Sequence, residues 1–120
     1  MVGRNREGGS VVPRRGSVAW MQFDGEGHEQ QDQRPFVVVS EELFNRSGFA
    51  WISPVTGQVK GRPFEVAIPK GLCSIHGIIL SDQIRVIDWV ARKIYFSDGD
   101  CVPQNIMDAV SGIQASIIGR

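Results

Sequence analysis

The sequence has few of the residues that build disulfide frameworks or metal centres. Its 120 residues include only two cysteines and two histidines. Cys73 and Cys101 are far apart and form no CxxC pair, so we expect buried free thiols in a reducing cytosol. His28 and Glu29 begin like the zinc motif HExxH, but position 32 is aspartate, so the second histidine ligand is missing. No metal or other cofactor is predicted.

Long apolar runs and an excess of charge of one sign are also absent. No apolar stretch approaches the roughly 20 residues that span a membrane. Arg4 and Arg6 are not followed by the apolar core of a secretory signal, so we expect a cytoplasmic protein with no membrane partner. The 13 basic and 13 acidic residues give a net charge of zero, which argues against a general nucleic-acid coat.

The charges are nevertheless distributed unevenly along the chain. Residues 21–45 are mostly acidic, with Arg34 as their single base, whereas residues 46–71 are mostly basic, with Glu65 as their single acid. A neutral protein with one local basic patch suits a short single-stranded nucleic acid better than a long duplex. The alternative is that folding intermixes these charges and leaves no patch.

The length fits one domain with one core, and no linker divides the chain. Residues 1–11 are rich in glycine and arginine and predict a disordered tail, and residues 12–120 predict a single domain. Apolar or alternating patterns predict strands in residues 17–23, 35–39, 49–53, 64–68, 77–80 and 90–96. Residues 81–84 fit one helical turn.

The C-terminal segment changes to helical spacing. Apolar residues form one stripe: Ile106, Val110, Ile113 and Ile117. Pro103 suits the first turn of a helix and Gly119 its C-terminal stop. Strands and helix together predict a mainly β (α+β) fold, a small, strongly curved antiparallel β-barrel with a C-terminal helix.

A polar loop, residues 27–35, leads directly into the apolar strand that begins at Phe36. Pro35 fixes its own backbone and favours an extended Arg34, which gives the guanidinium a defined direction. The planar fork of arginine suits phosphate. The alternative is an ordinary solvated loop with a surface ion pair.

Five segments, in order, resemble the MazF/PemK family of bacterial toxin ribonucleases. They are residues 12–20, 27–40, 44–48, 54–66 and 77–93. The resemblance implies the barrel shared by CcdB, MazF and PemK toxins. It also implies metal-independent, sequence-specific cleavage of single-stranded RNA, mRNA in particular. Attack by the 2′-hydroxyl would leave a 2′,3′-cyclic phosphate and a 5′-hydroxyl.

The resemblance also implies a catalytic set. Arg34 would contact the scissile phosphate and stabilise its developing charge, and Thr56 would donate its hydroxyl to a phosphate oxygen. Glu29 is the candidate base, because its carboxylate is ionised at neutral pH. Two alternatives stay open: Glu29 only holds Arg34 in place, and Thr56 is only a turn residue that bonds its own backbone.

Further polar residues in the matching segments are candidates for RNA binding. They are His28, Gln30, Gln58, Lys60, Arg62, Asp82 and Gln83. The cations suit flanking phosphates and the glutamines suit base edges. Asp82 is equally well explained as a cap for the turn that follows it.

The resemblance implies a homodimer that is inhibited by a MazE-like antitoxin with an acidic, flexible tail, and operator DNA would be bound only through that complex. Among the departures from the family pattern, Gly57 replaces a hydroxyl residue, and Asp32 adds negative charge near Arg34. They leave open an inactive homologue that only binds antitoxin and represses its operon. A CcdB-like gyrase poison is a further alternative, disfavoured by the presence of Glu29, Arg34 and Thr56.

Overall fold

The computed structural model describes residues 11–22 and 33–119. Its elements follow in chain order: β1 Val18–Gln22, β2 Gln33–Val38, α1 Glu42–Asn45, β3 Phe49–Thr56, β4 Glu65–Ile68, β5 Gly77–Leu80, β6 Arg85–Asp88 and α2 Gln104–Ile117. The strand prediction for Phe23 and the tail prediction for residues 1–10 lie outside the described residues. The tail and the single domain stay predictions. Val11 donates its N–H to the Phe96 carbonyl.

Strand β3 organises the sheet because it has neighbours along both edges. One edge pairs with β2, and the other pairs first with β6, through residues 49–52, and then with β5, through Val55 and Thr56. All strand pairs are antiparallel, and the path runs β1-β2-β3-β5-β4. Within the described residues this path is curled but not closed. The predicted curved antiparallel fold with a C-terminal helix is confirmed.

Two hydrophobic cores lie on opposite faces of β2. Phe36 and Val38 pack into one core with Ile52 of β3, and Val37 packs into the other with Val110 of α2. All three β2 side chains are fully buried. A strand covered on both faces is apolar at successive positions rather than alternating, which explains its valine-rich sequence. The exposed part of β2 is its beginning, which contains Arg34.

Helix α2 covers the second core. Met107 and Val110 are its buried residues, while Ile117, the last residue of the predicted stripe, is half exposed. The guanidinium of Arg15 donates to Asp108 at 3.0 Å and to Ser111 at 2.9 Å, which ties the helix to the segment preceding β1. The helix prediction is confirmed, with Pro103 at its start and Gly119 in the left-handed conformation just after its end.

The last predicted strand, residues 90–96, is wrong. The last strand is β6, and the chain turns directly after it: an oxygen of the Asp88 carboxylate accepts the Ala91 N–H, and the Asp88 carbonyl accepts the Arg92 N–H. Lys93 then takes a positive φ of 58°. The alternation in the sequence arises because Ile94 and Phe96 pack inward from an irregular segment. Residues 81–84 form a turn rather than a helix, closed by the Gln83 N–H on the Leu80 carbonyl.

Helix α1 is a single short element that sequence patterns did not indicate. Its Asn45 is fully buried, and its amide donates to the carbonyls of Pro13 and Ser40.

Both cysteines are free, as expected, but half-buried rather than buried. Burial raises the pKa of the Cys73 thiol, which keeps it protonated. No helix in the described part of the chain has the length and apolar character to cross a membrane.

Candidate functional site

Arg34 lies at the exposed beginning of β2, where it pairs with Met21 of the neighbouring edge strand. Pro35 follows within the strand, and Phe36 after it is fully buried. The buried part of β2 therefore anchors the backbone that carries the guanidinium. A charged side chain at the end of such a strand is held in place without being desolvated, and it can meet a phosphate from solution.

Thr56 ends β3 and is half-buried. Its hydroxyl oxygen accepts the N–H of Gln58 at 3.3 Å, as in a turn closed by a side-chain hydroxyl. A hydroxyl that accepts one hydrogen bond still has its own proton to donate. The turn contact is therefore present, and it leaves the donor role of Thr56 chemically open.

The register of β2 and β3, extended by two residues beyond its last pair, matches Arg34 with Thr56. Phe36 on β2 pairs with Pro54 on β3. Arg34 and Thr56 each lie two residues beyond this pair, in the directions that an antiparallel register matches with each other. Because side chains alternate across a strand, both belong to the face that carries Phe36. Two donors at adjacent strand ends suit a single phosphate group.

Gly77 allows β5 to approach the end of β3. Its φ is +135°, and a Cβ at this position would lie 2.6 Å from the Thr56 carbonyl oxygen. Only glycine adopts this conformation readily and leaves room for that oxygen. The position of Thr56 therefore depends on a residue that the sequence analysis did not single out.

Residues 57–64 form the loop that carries the predicted RNA-binding residues Gln58, Lys60 and Arg62, all exposed. Glu65, the first residue of β4, organises this loop. Its carboxylate accepts the backbone N–H of Lys60 at 3.1 Å and of Gly61 at 3.1 Å, and its own N–H donates to the Arg62 carbonyl. The acid closes the loop through the backbone, which leaves the cationic side chains pointing to solvent.

Replacing Glu65 with alanine separates loop organisation from simple electrostatics. Removing a negative charge beside Lys60 and Arg62 would strengthen RNA binding if charge alone mattered. We expect the reverse: a loss of affinity of about three- to tenfold, with about 1 kcal/mol lost from the free energy of unfolding. Fluorescence anisotropy and urea unfolding measure the two effects.

Glu42→Ala is the matched control for Glu65, because it also removes an exposed acid, one paired with Arg46 on α1. It should leave RNA affinity unchanged. Tighter RNA binding by Glu65→Ala would show that its hydrogen bonds to the loop backbone do not matter for binding.

Asp82 and Gln83 are exposed on the turn between β5 and β6. The Ser53 hydroxyl donates to the Gln83 carbonyl at 2.6 Å, which fixes the turn against β3. This turn lies at the opposite end of β5 from the contact with Thr56. The structure therefore separates Asp82 and Gln83 from Arg34 and Thr56 within one chain. The 57–64 loop runs between the two places, since Glu65 at its end pairs with Leu80.

Three predicted site residues lie outside the described residues: His28, Glu29 and Gln30. Their roles stay predictions. Within residues 11–22 and 33–119 there is no group of three or more histidine, cysteine, aspartate or glutamate side chains arranged to hold a metal ion. The described part of the site consists of cationic and hydroxyl donors on strand ends and one loop.

Fold and site together define a small, curled antiparallel protein with an exposed arginine and a half-buried threonine where β2 begins and β3 ends. Comparisons with known proteins agree. The family described as "PemK-like, MazF-like toxin of type II toxin-antitoxin system" matches residues 14–114. The endoribonuclease toxin MazF of Escherichia coli (strain K12) is 40% identical over 83 residues, which cover 68% of this chain and 73% of that protein.

Solved structures give the same result. A crystal structure of MazF from Deinococcus radiodurans has a TM-score of 0.75 and 34% identity, and covers 92% of this chain and 99% of its own. A MazE–MazF crystal structure from the same organism has a TM-score of 0.77 and 34% identity, covering 91% and 97%. The chain belongs to the PemK/MazF family of type II toxin–antitoxin toxins. The predicted enzyme class, endoribonuclease, is confirmed at the level of this family, whose named relatives carry that activity.

Proposed function

We propose that this toxin cleaves single-stranded RNA, mRNA in particular, at a short sequence without a metal ion. The observation that supports the proposal is the antiparallel register of β2 and β3, whose last pair, Phe36 and Pro54, lies two residues from Arg34 on one strand and two residues from Thr56 on the other. The Escherichia coli relative is an endoribonuclease toxin, and its match to this chain supports the same substrate class. The basic loop with Lys60 and Arg62 supports the binding of flanking phosphates.

The proposed reaction transfers the phosphoryl group within the RNA. The 2′-oxygen attacks the adjacent phosphorus, its proton passes to a base, and the bond from phosphorus to the 5′-oxygen breaks. The 5′-oxygen takes up a proton from water, and the base releases its own proton to solvent, which leaves a 2′,3′-cyclic phosphate and a 5′-hydroxyl. Arg34 neutralises the charge that develops on the phosphoryl oxygens, and the Thr56 hydroxyl donates to one of them. Arginine holds its proton too tightly to be an effective acid, so charge stabilisation is its role.

Glu29 is the proposed base for the 2′-hydroxyl. The family resemblance of residues 27–40 supports this assignment, and the ionised carboxylate at neutral pH can accept the proton. His28 and Gln30 beside it are proposed to contact RNA. Asp82 and Gln83 are proposed to contact nucleotides farther from the scissile bond, because their turn lies at the other end of β5.

We further propose a cytoplasmic homodimer. An apolar patch on the outer face of the sheet supports it: Phe49 and Trp51 on β3 and Val86 on β6 are all exposed, and Trp51 pairs directly with Val86. Phe44 of α1 packs edge-on against Trp51, with ring centroids 6.2 Å apart. Contiguous apolar surface of this kind marks protein interfaces. A second copy of the chain is the proposed partner.

A MazE-like antitoxin is the second proposed protein partner. The structural similarity to a MazE–MazF complex supports it. An acidic, flexible antitoxin tail competing with RNA for Arg34, Lys60 and Arg62 would inhibit the toxin by charge complementarity. Operator DNA is proposed to be bound only through the antitoxin in that complex.

The test is to incubate the purified wild-type chain with a long RNA of mixed sequence in excess EDTA and to map the new 5′ ends. We expect cuts at a small set of related sequences, with 5′-hydroxyl and cyclic-phosphate ends. Intact RNA with folded, antitoxin-free protein would contradict the proposal and favour an inactive, antitoxin-binding homologue. Cleavage that disappears in EDTA would contradict metal independence alone.

A further inference from the structure

A cleft of about 810 Å³ runs along the outer edge of β1, beside the candidate site. Strand β1 is at the end of the sheet path, and β2 is its only strand neighbour within the described residues. The irregular segment after β6 forms one wall of the cleft. A volume of this size lies within the range of pockets that hold small organic ligands and nucleotides.

The cleft combines exposed aromatic rings with cations. Trp20 of β1 is 48% exposed and Tyr95 is 58% exposed, although indole and phenol rings normally bury most of their surface. Arg92 and Lys93 line the same cleft and are exposed. Aromatic rings beside cations form the combination that binds single-stranded nucleic acid, through base stacking and phosphate contacts.

The backbone holds Lys93 in a special conformation. The turn that begins at Asp88 ends at Lys93, whose N–H donates to the Val90 carbonyl and whose φ is +58°. A residue other than glycine, asparagine or aspartate is uncommon in this left-handed region. Glycine would fit the turn with less strain, so the turn itself does not require a lysine.

The cleft begins next to the proposed catalytic residues. Gln33 lines it and is the chain neighbour of Arg34, and Met21, which also lines it, pairs with Arg34 across the sheet. Its one acid, Asp100, is at the other end, because the bridge between Ser17 and Cys101 places it near the start of β1. The Asp100 carboxylate accepts two hydrogen bonds from Ser74. The end nearer Arg34 is therefore free of carboxylates among the described lining residues.

We infer that this cleft binds nucleotides of the substrate RNA that flank the scissile phosphate, with a base against Trp20 or Tyr95 and phosphates against Arg92 and Lys93. The inference rests on the proposed ribonuclease function. Single-stranded RNA is favoured over an acidic peptide because two exposed aromatic rings suit nucleobases, whereas a carboxylate needs only the cations. The cleft extends the RNA path over the edge of β1.

The test compares two oligonucleotides built around a cut site mapped with the wild-type chain. Both carry a 2′-O-methyl group at the cleaved nucleotide, which removes the nucleophile, so that binding is measured without cleavage. The short RNA spans only the cut sequence, and the long RNA extends several nucleotides to both sides. Binding is followed by fluorescence anisotropy in EDTA at a series of salt concentrations.

The variants follow from the geometry. Lys93→Gly removes the cation and keeps the left-handed backbone, and is combined with Arg92→Ala. We expect the double variant to bind the long RNA about tenfold more weakly, with the slope of log affinity against log salt reduced by about 1.4. Trp20→Ala should also weaken long-RNA binding about tenfold, and Trp20→Phe should restore most of it. Binding of the short RNA should not change.

The outcomes separate the cleft from the reaction. Unchanged affinity for the long RNA, or equal losses on both RNAs, overturns the cleft assignment while wild-type cleavage still supports the function. The same variants are tested for binding to a polyglutamate peptide. If they lose affinity for the peptide and not for the long RNA, the cleft binds an acidic protein segment and the RNA assignment is overturned. If the wild type leaves unmodified RNA intact, the proposed function fails, and the cleft assignment fails with it. Arg46→Ala, which removes an exposed cation just after α1, is the matched control for the loss of a cation and should bind both RNAs like the wild type.

Discussion

Arg34→Ala should abolish most RNA cleavage while leaving the chain folded. In the proposed reaction this guanidinium neutralises charge that develops only in the transition state. Removing one such donor reduces turnover by about 10²–10³-fold. The core should tolerate the change, because Arg34 is exposed and the fully buried part of β2 begins at Phe36. Cleavage rates on a mapped RNA substrate, with urea unfolding of the same samples, measure both effects.

Two further variants sharpen this prediction. Arg34→Lys keeps the positive charge and loses the planar fork, so we expect an intermediate rate. Arg46→Ala removes another exposed arginine, one that directly follows α1 and pairs with Glu42, and should cleave like the wild type. A rate for Arg34→Ala within a few-fold of wild type would remove this residue from the reaction. A parallel loss in Arg46→Ala would point to general charge rather than to a catalytic contact.

The most buried part of the fold could be predicted from sequence because its physical cause is local. The successive apolar residues Phe36, Val37 and Val38 indicate a strand covered on both faces, and the structure buries each completely. The apolar stripe around Val110 similarly predicts α2. In both elements the spacing of apolar residues along the sequence agrees with the burial seen in the structure. The local sequence is therefore sufficient to predict them.

The segment after β6 could not be predicted from its apolar pattern because local turn hydrogen bonds override that pattern. Alternating apolar residues favour a strand, but the Asp88 carboxylate caps a turn and Lys93 reverses the backbone. Helix α1 is too short for a periodic signal. Beside the nearby Ser40, its fully buried Asn45 has partners distant in sequence: its amide donates to the Pro13 carbonyl, and its own carbonyl accepts the Trp89 indole N–H. Such contacts have no counterpart in local propensity.

The residues of the candidate site come from the family resemblance and stay predictions, whereas the contacts that support them are visible only in the fold. The resemblance points to Arg34 and Thr56, and the β2–β3 register, extended two residues beyond Phe36 and Pro54, matches them with each other. Glu65 was noted only as a charge, although its carboxylate binds the backbone of the loop that carries Lys60. The only sequence signal for this role is that Glu65 is the single acid in a basic segment. That its carboxylate closes the loop follows only from the fold.

Gly77→Ala should cost more stability than an ordinary glycine substitution and should disturb Thr56. The added Cβ would lie 2.6 Å from the Thr56 carbonyl oxygen and 3.2 Å from a Val55 methyl group, on a backbone with φ +135°. Backbone strain and overpacking each cost about 1–3 kcal/mol, so we expect a total loss of at least about 2 kcal/mol. That is a large part of the roughly 5–15 kcal/mol that stabilises a domain. Urea unfolding measures the loss.

Gly112→Ala provides a control with the opposite expected sign. Gly112 is inside α2, and a Cβ there meets nothing within 4 Å apart from the adjoining residues and the backbone of its own helix, so alanine should stabilise the chain by about 1 kcal/mol.

For Gly77→Ala we also expect slower cleavage per folded molecule, because relief of the clash moves β5 relative to the carbonyl of Thr56. The rate is measured at low temperature, where the variant is still folded. A wild-type rate per folded molecule, despite the lower stability, would show that catalysis does not depend on this close approach. An unchanged free energy of unfolding would contradict the tight contact itself.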